Sequence, residues 1–227
     1  MSIPLPQAGA DRPIASRRRP GRPQRQLAAL LPGSILAEAR ALFLDRGYAA
    51  TSLEAIAAQA GVTKRTLYVK VGDKEAIFAA VVGAMLQDWR HVVDGDPPGH
   101  SLQQRFEAIG RQLLAVSLEP DMVQLHRVML AEAYRFPALV NLLVAQIEQG
   151  PIPQLARLLM RARGAEGEPA EADQVAARLF YDMVVAAPLR MALTGRPPSL
   201  DITPEGWVRR AVAVFLLGWR DVSGIVS

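Results

Sequence analysis

At 227 residues, half of them hydrophobic, the chain is long enough for one domain with an appendage or for two small domains, and it is not an unfolded polymer. It has no cysteine, which excludes disulfides, thiolate chemistry and cysteine-ligated zinc. Residues 1–95 hold 13 Lys/Arg against 8 Asp/Glu while residues 96–227 hold 13 against 14, so the basic surplus sits in the N-terminal part, where a polyanion is the expected partner.

Residues 1–26 read as a disordered basic arm, with five of the 17 prolines and no apolar period. They lack the apolar run of a secretory signal, and no apolar stretch approaches the roughly 18 residues of a spanning helix. A soluble cytoplasmic protein without a membrane partner is the expectation. The arm's centre, SRRRPGRPQR, sets Arg17, Arg18, Arg19 and Arg22 around Pro20 and Gly21. Extended basic segments of this kind fit a narrow minor groove, whose negative potential attracts arginine. A solubilising tail is the other reading.

From Ser34 the period is helical. Ile35, Ala39, Leu42 and Phe43 form one apolar stripe, and Gly47 is expected to end that helix. Thr51 followed by Glu54 has the capping-box spacing, with Leu53, Ile56 and Ala57 as the apolar side of a short second helix. Gly61 makes the turn, Thr63 caps a third helix, and Val62, Leu67 and Val71 face inward. Two short helices around a glycine turn, the second polar and basic outside, form a helix-turn-helix pattern. On the third helix Lys64, Arg65, Thr66, Tyr68 and Lys70 are the exposed positions. Arg65 is the first choice for reading a guanine, because its fork matches O6 and N7. All three lysines of the chain, Lys64, Lys70 and Lys74, fall within this stretch.

Asp73 caps a long fourth helix expected to run through Trp89 to about residue 93. Further helices are expected over 101–118, 121–135, 138–149, 154–163 and 172–194, the last kinked at Pro188, with a final one from Thr203 and Pro204 to about Arg220. No alternating strand pattern occurs. The fold class is therefore all-α: a three-helix helix-turn-helix domain joined by a long helix to a C-terminal helical bundle. The expected boundaries are 1–26, 27–75 and 76–227.

Residues 39–78, ARALFLDRGYAATSLEAIAAQAGVTKRTLYVKVGDKEAIF, resemble the DNA-binding domain of the TetR/AcrR family of transcriptional regulators. The resemblance lies in LF-x-x-x-G-Y, T-S, I-A-x-x-A-G-V-T-K, T-L-Y and K-E. Residues 127–159 are similar to the effector domain of AefR-like members, through E-A-x-R-F-P and G-P. Where the family often carries aromatics, positions 69 and 71 are valine. Val71 can fill the core slot, and no DNA role is carried to Val69.

The resemblance implies a homodimeric regulator on double-stranded DNA, most simply a repressor released from a palindromic operator by a small apolar effector. It implies phosphate clamps at Thr51 or Ser52, Tyr68 and Lys74, with Thr63 at a further helix start. An effector pocket is expected among Phe106, Met129, Tyr134, Phe180 and Met183, and a dimer interface at Met191, Val214, Phe215 and Trp219. Each of these also reads as ordinary core. A DNA-bound structural or cell-division factor of the same fold, without effector, is the rival reading. No cofactor and no catalysis are expected, since His91, His100 and His126 are scattered and no nucleotide-binding or nucleophile motif occurs.

Overall fold

A computed structural model describes residues 33–86, 98–195 and 202–223 of the chain. Among these residues there are ten α-helices and no strand. In chain order they are α1 (Gly33–Ala50), α2 (Leu53–Gln59), α3 (Lys64–Lys70), α4 (Lys74–Met85), α5 (Leu102–Ser117), α6 (Pro120–Glu132), α7 (Pro137–Gln149), α8 (Pro151–Ala162), α9 (Glu171–Thr194) and α10 (Pro204–Ser223). The arm with Arg17, Arg18, Arg19 and Arg22, and the expected extension of α4 to residue 93, lie outside the described residues.

The helix starts use two devices. α2, α3 and α4 begin at polar caps: Ser52, Thr63 and Asp73 accept from the backbone N–H of Ala55, Thr66 and Ala76. In the C-terminal half α6, α7, α8 and α10 open on Pro120, Pro137, Pro151 and Pro204. A proline there lacks only an N–H that would have had no partner within the helix, and its φ is already helical. Two expectations shift accordingly. The cap of α2 is Ser52 and not Thr51. α8 starts at Pro151, because Pro151 and Pro153 occupy its first turn and do not break it. α9 runs unbroken through Pro188 and ends on Gly195, whose φ of 66° is the left-handed conformation glycine adopts without strain.

Two aromatic groups organise the core. Phe43 and Tyr48 of α1, Phe78 of α4 and Phe136 meet at the junction of the two halves, with Tyr48 edge-on to Phe78 at 5.1 Å and to Phe136 at 4.9 Å. Phe106, Phe180 and Phe215 form the second, with ring centroids 4.7–5.5 Å apart, and join α5, α9 and α10. Gly110 allows that packing: a Cβ there would stand 2.8 Å from Cγ1 of Val208 on α10. The Trp207 indole donates to the Val184 carbonyl at 3.0 Å and ties α10 to α9.

Candidate nucleic-acid interface

α3 is anchored on one side only. Leu67 is fully buried, Val71 just beyond the helix is nearly so, and the turn before it is pinned by the Val62 amide on the Ala57 carbonyl at 2.9 Å. At about 100° per residue, Arg65 and Val69 lie about 160° and about 200° from Leu67, so this pair points straight away from the domain. Tyr68 and Lys64 flank it on one side. Tyr68 is 63 % exposed and Val69 75 %. Lys64 pairs with the Glu54 carboxylate of α2, and this contact holds Glu54 below its usual pKa. The Thr63 and Thr66 hydroxyls bond each other at 2.8 Å. Among the described residues no acidic group pairs with Arg65 or Lys70. The helix therefore presents two uncommitted cations, a phenol and an apolar side chain to solvent.

The expected phosphate clamps divide by environment. Ser52 is exposed. Thr51 is 1 % exposed, and its hydroxyl lies against the carbonyls of Leu42 (3.1 Å) and Gly47 (2.8 Å), so its proton is committed inside the domain and none is left for a phosphate. Lys74 is half-buried. Its ammonium donates to the carbonyls of Tyr48 (2.9 Å) and Ala49 (3.4 Å) and stands 4.4 Å above the Tyr48 ring. Burial lowers the Lys74 pKa, opposed by the Glu132 carboxylate. Burial also pushes the Tyr48 phenol up to about 12, assisted by Glu75, Asp73 and Glu132.

Sequence reasoning missed how this domain is held from below. Glu132, the last residue of α6, accepts from the Ala49 amide at 2.9 Å. Gln124 donates to the Leu44 carbonyl at 3.0 Å, and Arg40 pairs with Asp121 at 2.5 Å. With the Tyr48–Phe136 contact, α6 and the turn after it grip the end of α1 from residues about 80 positions away. A signal was present: Glu132 and Phe136 are two fixed positions of E-A-x-R-F-P.

The expected effector-wall residues do not share one environment. Phe106, Phe180 and Met129 are buried and Met183 is partly so, but Tyr134 is 99 % exposed in the turn after α6 and lines no interior space. A groove of about 470 Å³ lies elsewhere, between α8 and α9, walled by Ile152, Ala156, Val175 and Leu179 with Arg157 and Arg178 at its sides. Of the expected interface residues, Val214 is exposed, while Met191 and Trp219 are partly buried. Phe215 is buried against Phe106 and Phe180 within its own chain, because its helical position faces α5 and α9.

The model of the bacterial regulatory proteins of the tetR family matches residues 35–81, and that of the AefR-like transcriptional repressor C-terminal domain matches residues 104–220. This chain belongs to the TetR family. It is therefore a DNA-binding transcriptional regulator, and α2 and α3 are its helix-turn-helix. Among solved structures, the Flavonoid-responsive Regulator FrrA is 28 % identical with a TM-score of 0.64, covering 86 % of this chain and 96 % of FrrA. A TetR transcriptional regulator from Agrobacterium tumefaciens, 24 % identical, covers 81 % and 91 % with a TM-score of 0.62. A TetR-family structure from Mesorhizobium loti MAFF303099, 23 % identical, covers 87 % and 98 % with a TM-score of 0.67. These last two speak for the TetR fold alone. No curated protein matches the sequence. Among the described residues no helix is long and apolar enough to cross a membrane.

Proposed function

We propose that this TetR-family regulator is a ligand-released repressor that binds a palindromic operator as a homodimer. In this reading residues 27–75 bind DNA, assisted by the arm of residues 1–26, and residues 76–227 bind effector and partner. The observation that carries it is the outward face of α3, where Arg65, Tyr68 and Lys70 are left for an external partner. Arg65 would read a guanine edge. Ser52, Thr63, Tyr68 and Lys70 would meet phosphates, with Lys64 released from Glu54 as it approaches the polyanion. Lys74 and Thr51 would position the domain from inside.

Dimerisation is supported by apolar side chains on two neighbouring long helices: Val175 and Leu179 on α9, Val214 and Leu217 on α10, each more than half exposed. Met191 and Trp219 would border that face. A two-fold pairing of these helices would set two copies of α3 for half-sites about 34–36 Å apart. Leu217→Glu should then yield monomers in sedimentation and lose binding to the two-half-site operator. A variant that remains dimeric would remove this face from the proposal.

Release is supported by the grip of α6 on α1, since a ligand that displaces α6 would move the DNA-binding domain with it. The FrrA likeness makes planar aromatic compounds of the flavonoid class the first probes. Titrating a flavonoid into the operator complex should lower the fluorescence anisotropy of labelled DNA. A second reading, a DNA-bound structural factor without effector, is favoured by one observation: the Phe106, Phe180 and Phe215 rings are in mutual contact and leave no gap between them for a ligand. DNA binding unaffected by every small molecule in a broad panel would favour that reading.

A further inference from the structure

We propose that Val69 reads the C5-methyl group of a thymine in the major groove, within about two base pairs of the guanine taken by Arg65. This rests on the proposed DNA-binding role of α3 and adds a base to it. Val69 is 75 % exposed, more than any other aliphatic side chain among the described large hydrophobics. Its neighbours account for that exposure poorly. Leu67 and Val71 supply the helix's apolar anchorage, and Val69 packs on neither. A β-branched residue is also a poor helix former, and in a seven-residue helix each position counts. An exposed site with no outside partner would suit alanine, arginine or glutamate better.

The placement gives the valine its use. Arg65 and Val69 are i and i+4, so their Cβ atoms are about 5–6 Å apart, and successive base pairs rise about 3.4 Å. The two side chains therefore reach edges one or two base pairs apart. In the major groove only thymine offers an apolar group. The branched methyls of a valine can cover it and can neither donate nor accept a hydrogen bond. Cytosine at that position would put its amino group against the valine and lose a water without a replacement, so the contact also discriminates. Lys64 and Tyr68, on the flank of the same helix, are placed for the phosphates beside it.

The test uses the full chain and its preferred sequence, obtained by in vitro selection from random duplex DNA. Each thymine is then replaced by deoxyuridine, which removes the methyl group and nothing else. For the wild type, one position per half-site should weaken binding about fourfold, the value of burying a single such carbon. That position should lie within two base pairs of a guanine whose 7-deaza analogue weakens the wild type but not Arg65→Ala. Val69→Ala should fold as stably as the wild type and bind the thymine and uracil duplexes equally. A wild type indifferent to every uracil, or a Val69→Ala variant that keeps the wild-type ratio, would overturn the inference while leaving α3 as a DNA-binding helix. A selection that enriches no sequence would overturn both.

Discussion

α3 and α9 both carry side chains that their own chain leaves in water, but they are held by different means. α3 has one buried residue, Leu67, and takes its orientation from its surroundings: the Thr63 cap, the Gly61 turn and the Lys64–Glu54 pair. α9 is 24 residues long and buries Ala177, Phe180, Tyr181, Val184 and Val185, with Phe180 in the second aromatic group. The short helix buries a single side chain along its length, whereas the long one is a platform. A change on the outward face of α3 should therefore alter recognition without unfolding the protein. A change beneath α9 should unfold it without touching recognition directly.

The largest effect is expected beneath α9. Phe180→Ala should cost about 3–5 kcal/mol in denaturant unfolding, because the cavity is enclosed by Phe106 and Phe215 and cannot collapse. A loss below about 1 kcal/mol would show that the aromatic group does not hold the platform. Arg65→Ala is the counterpart on α3. It should leave thermal stability within about 0.5 kcal/mol of the wild type and remove about 1–3 kcal/mol of specific DNA affinity per half-site. A stability loss that tracks the affinity loss would erase the distinction between the two helices.

The junction between these regions gives an intermediate effect. Glu132→Ala should cost about 1 kcal/mol through the Ala49 amide, and Lys74→Met a similar amount through the Tyr48 and Ala49 carbonyls. Because the two act on one segment, the double variant should depart from additivity by about 0.5–1 kcal/mol. Strict additivity would mean that Glu132 and Lys74 hold the end of α1 independently. The smallest effect concerns pH. Burial lowers the pKa of His126 on α6 from 6.5, opposed by its contact with the Met122 carbonyl. The unfolded chain then binds the proton more readily than the folded one. Stability should be full above pH 6.5 and decline as pH falls from 6.5 through the lower folded value. His126→Leu should flatten that slope in melting experiments, and a slope that survives would assign it to other groups.

Much of the fold was legible because its punctuation is local. Thr63, Asp73, Gly61 and Pro204 mark helix starts and turns through their own backbone chemistry, which needs no tertiary information. Reading Thr51 as the cap in place of its neighbour Ser52 failed for a tertiary reason. Both residue types cap, serine somewhat better than threonine, and Thr51 is taken out of contention by the Leu42 and Gly47 carbonyls it meets once α1 is in place. Lys74 shows the same limit: its charge was visible, but not the carbonyls and ring that engage it. Tyr134 and Phe215 were assigned by residue type, and the helical phase and the turn after α6 put one in water and the other in the core. The α6 contacts were the least legible: E-A-x-R-F-P marks Glu132 and Phe136 but not what they meet, and Asp121 and Gln124 look like ordinary surface residues until α1 is laid across them.

If the outward face of α3 recognises a DNA sequence, its side chains must set which duplex the protein prefers. The most direct test is a fluorescence-anisotropy titration of the full chain with duplexes spanning the DNA beside its own gene, repeated over a range of salt and with Arg65 and Tyr68 changed to Ala. Saturable binding to one short near-palindrome is expected, with affinity that falls steeply as salt rises and loss of the preference for that duplex in the double variant. Binding that is equal on every duplex, or a preference that survives both substitutions, would contradict recognition by α3.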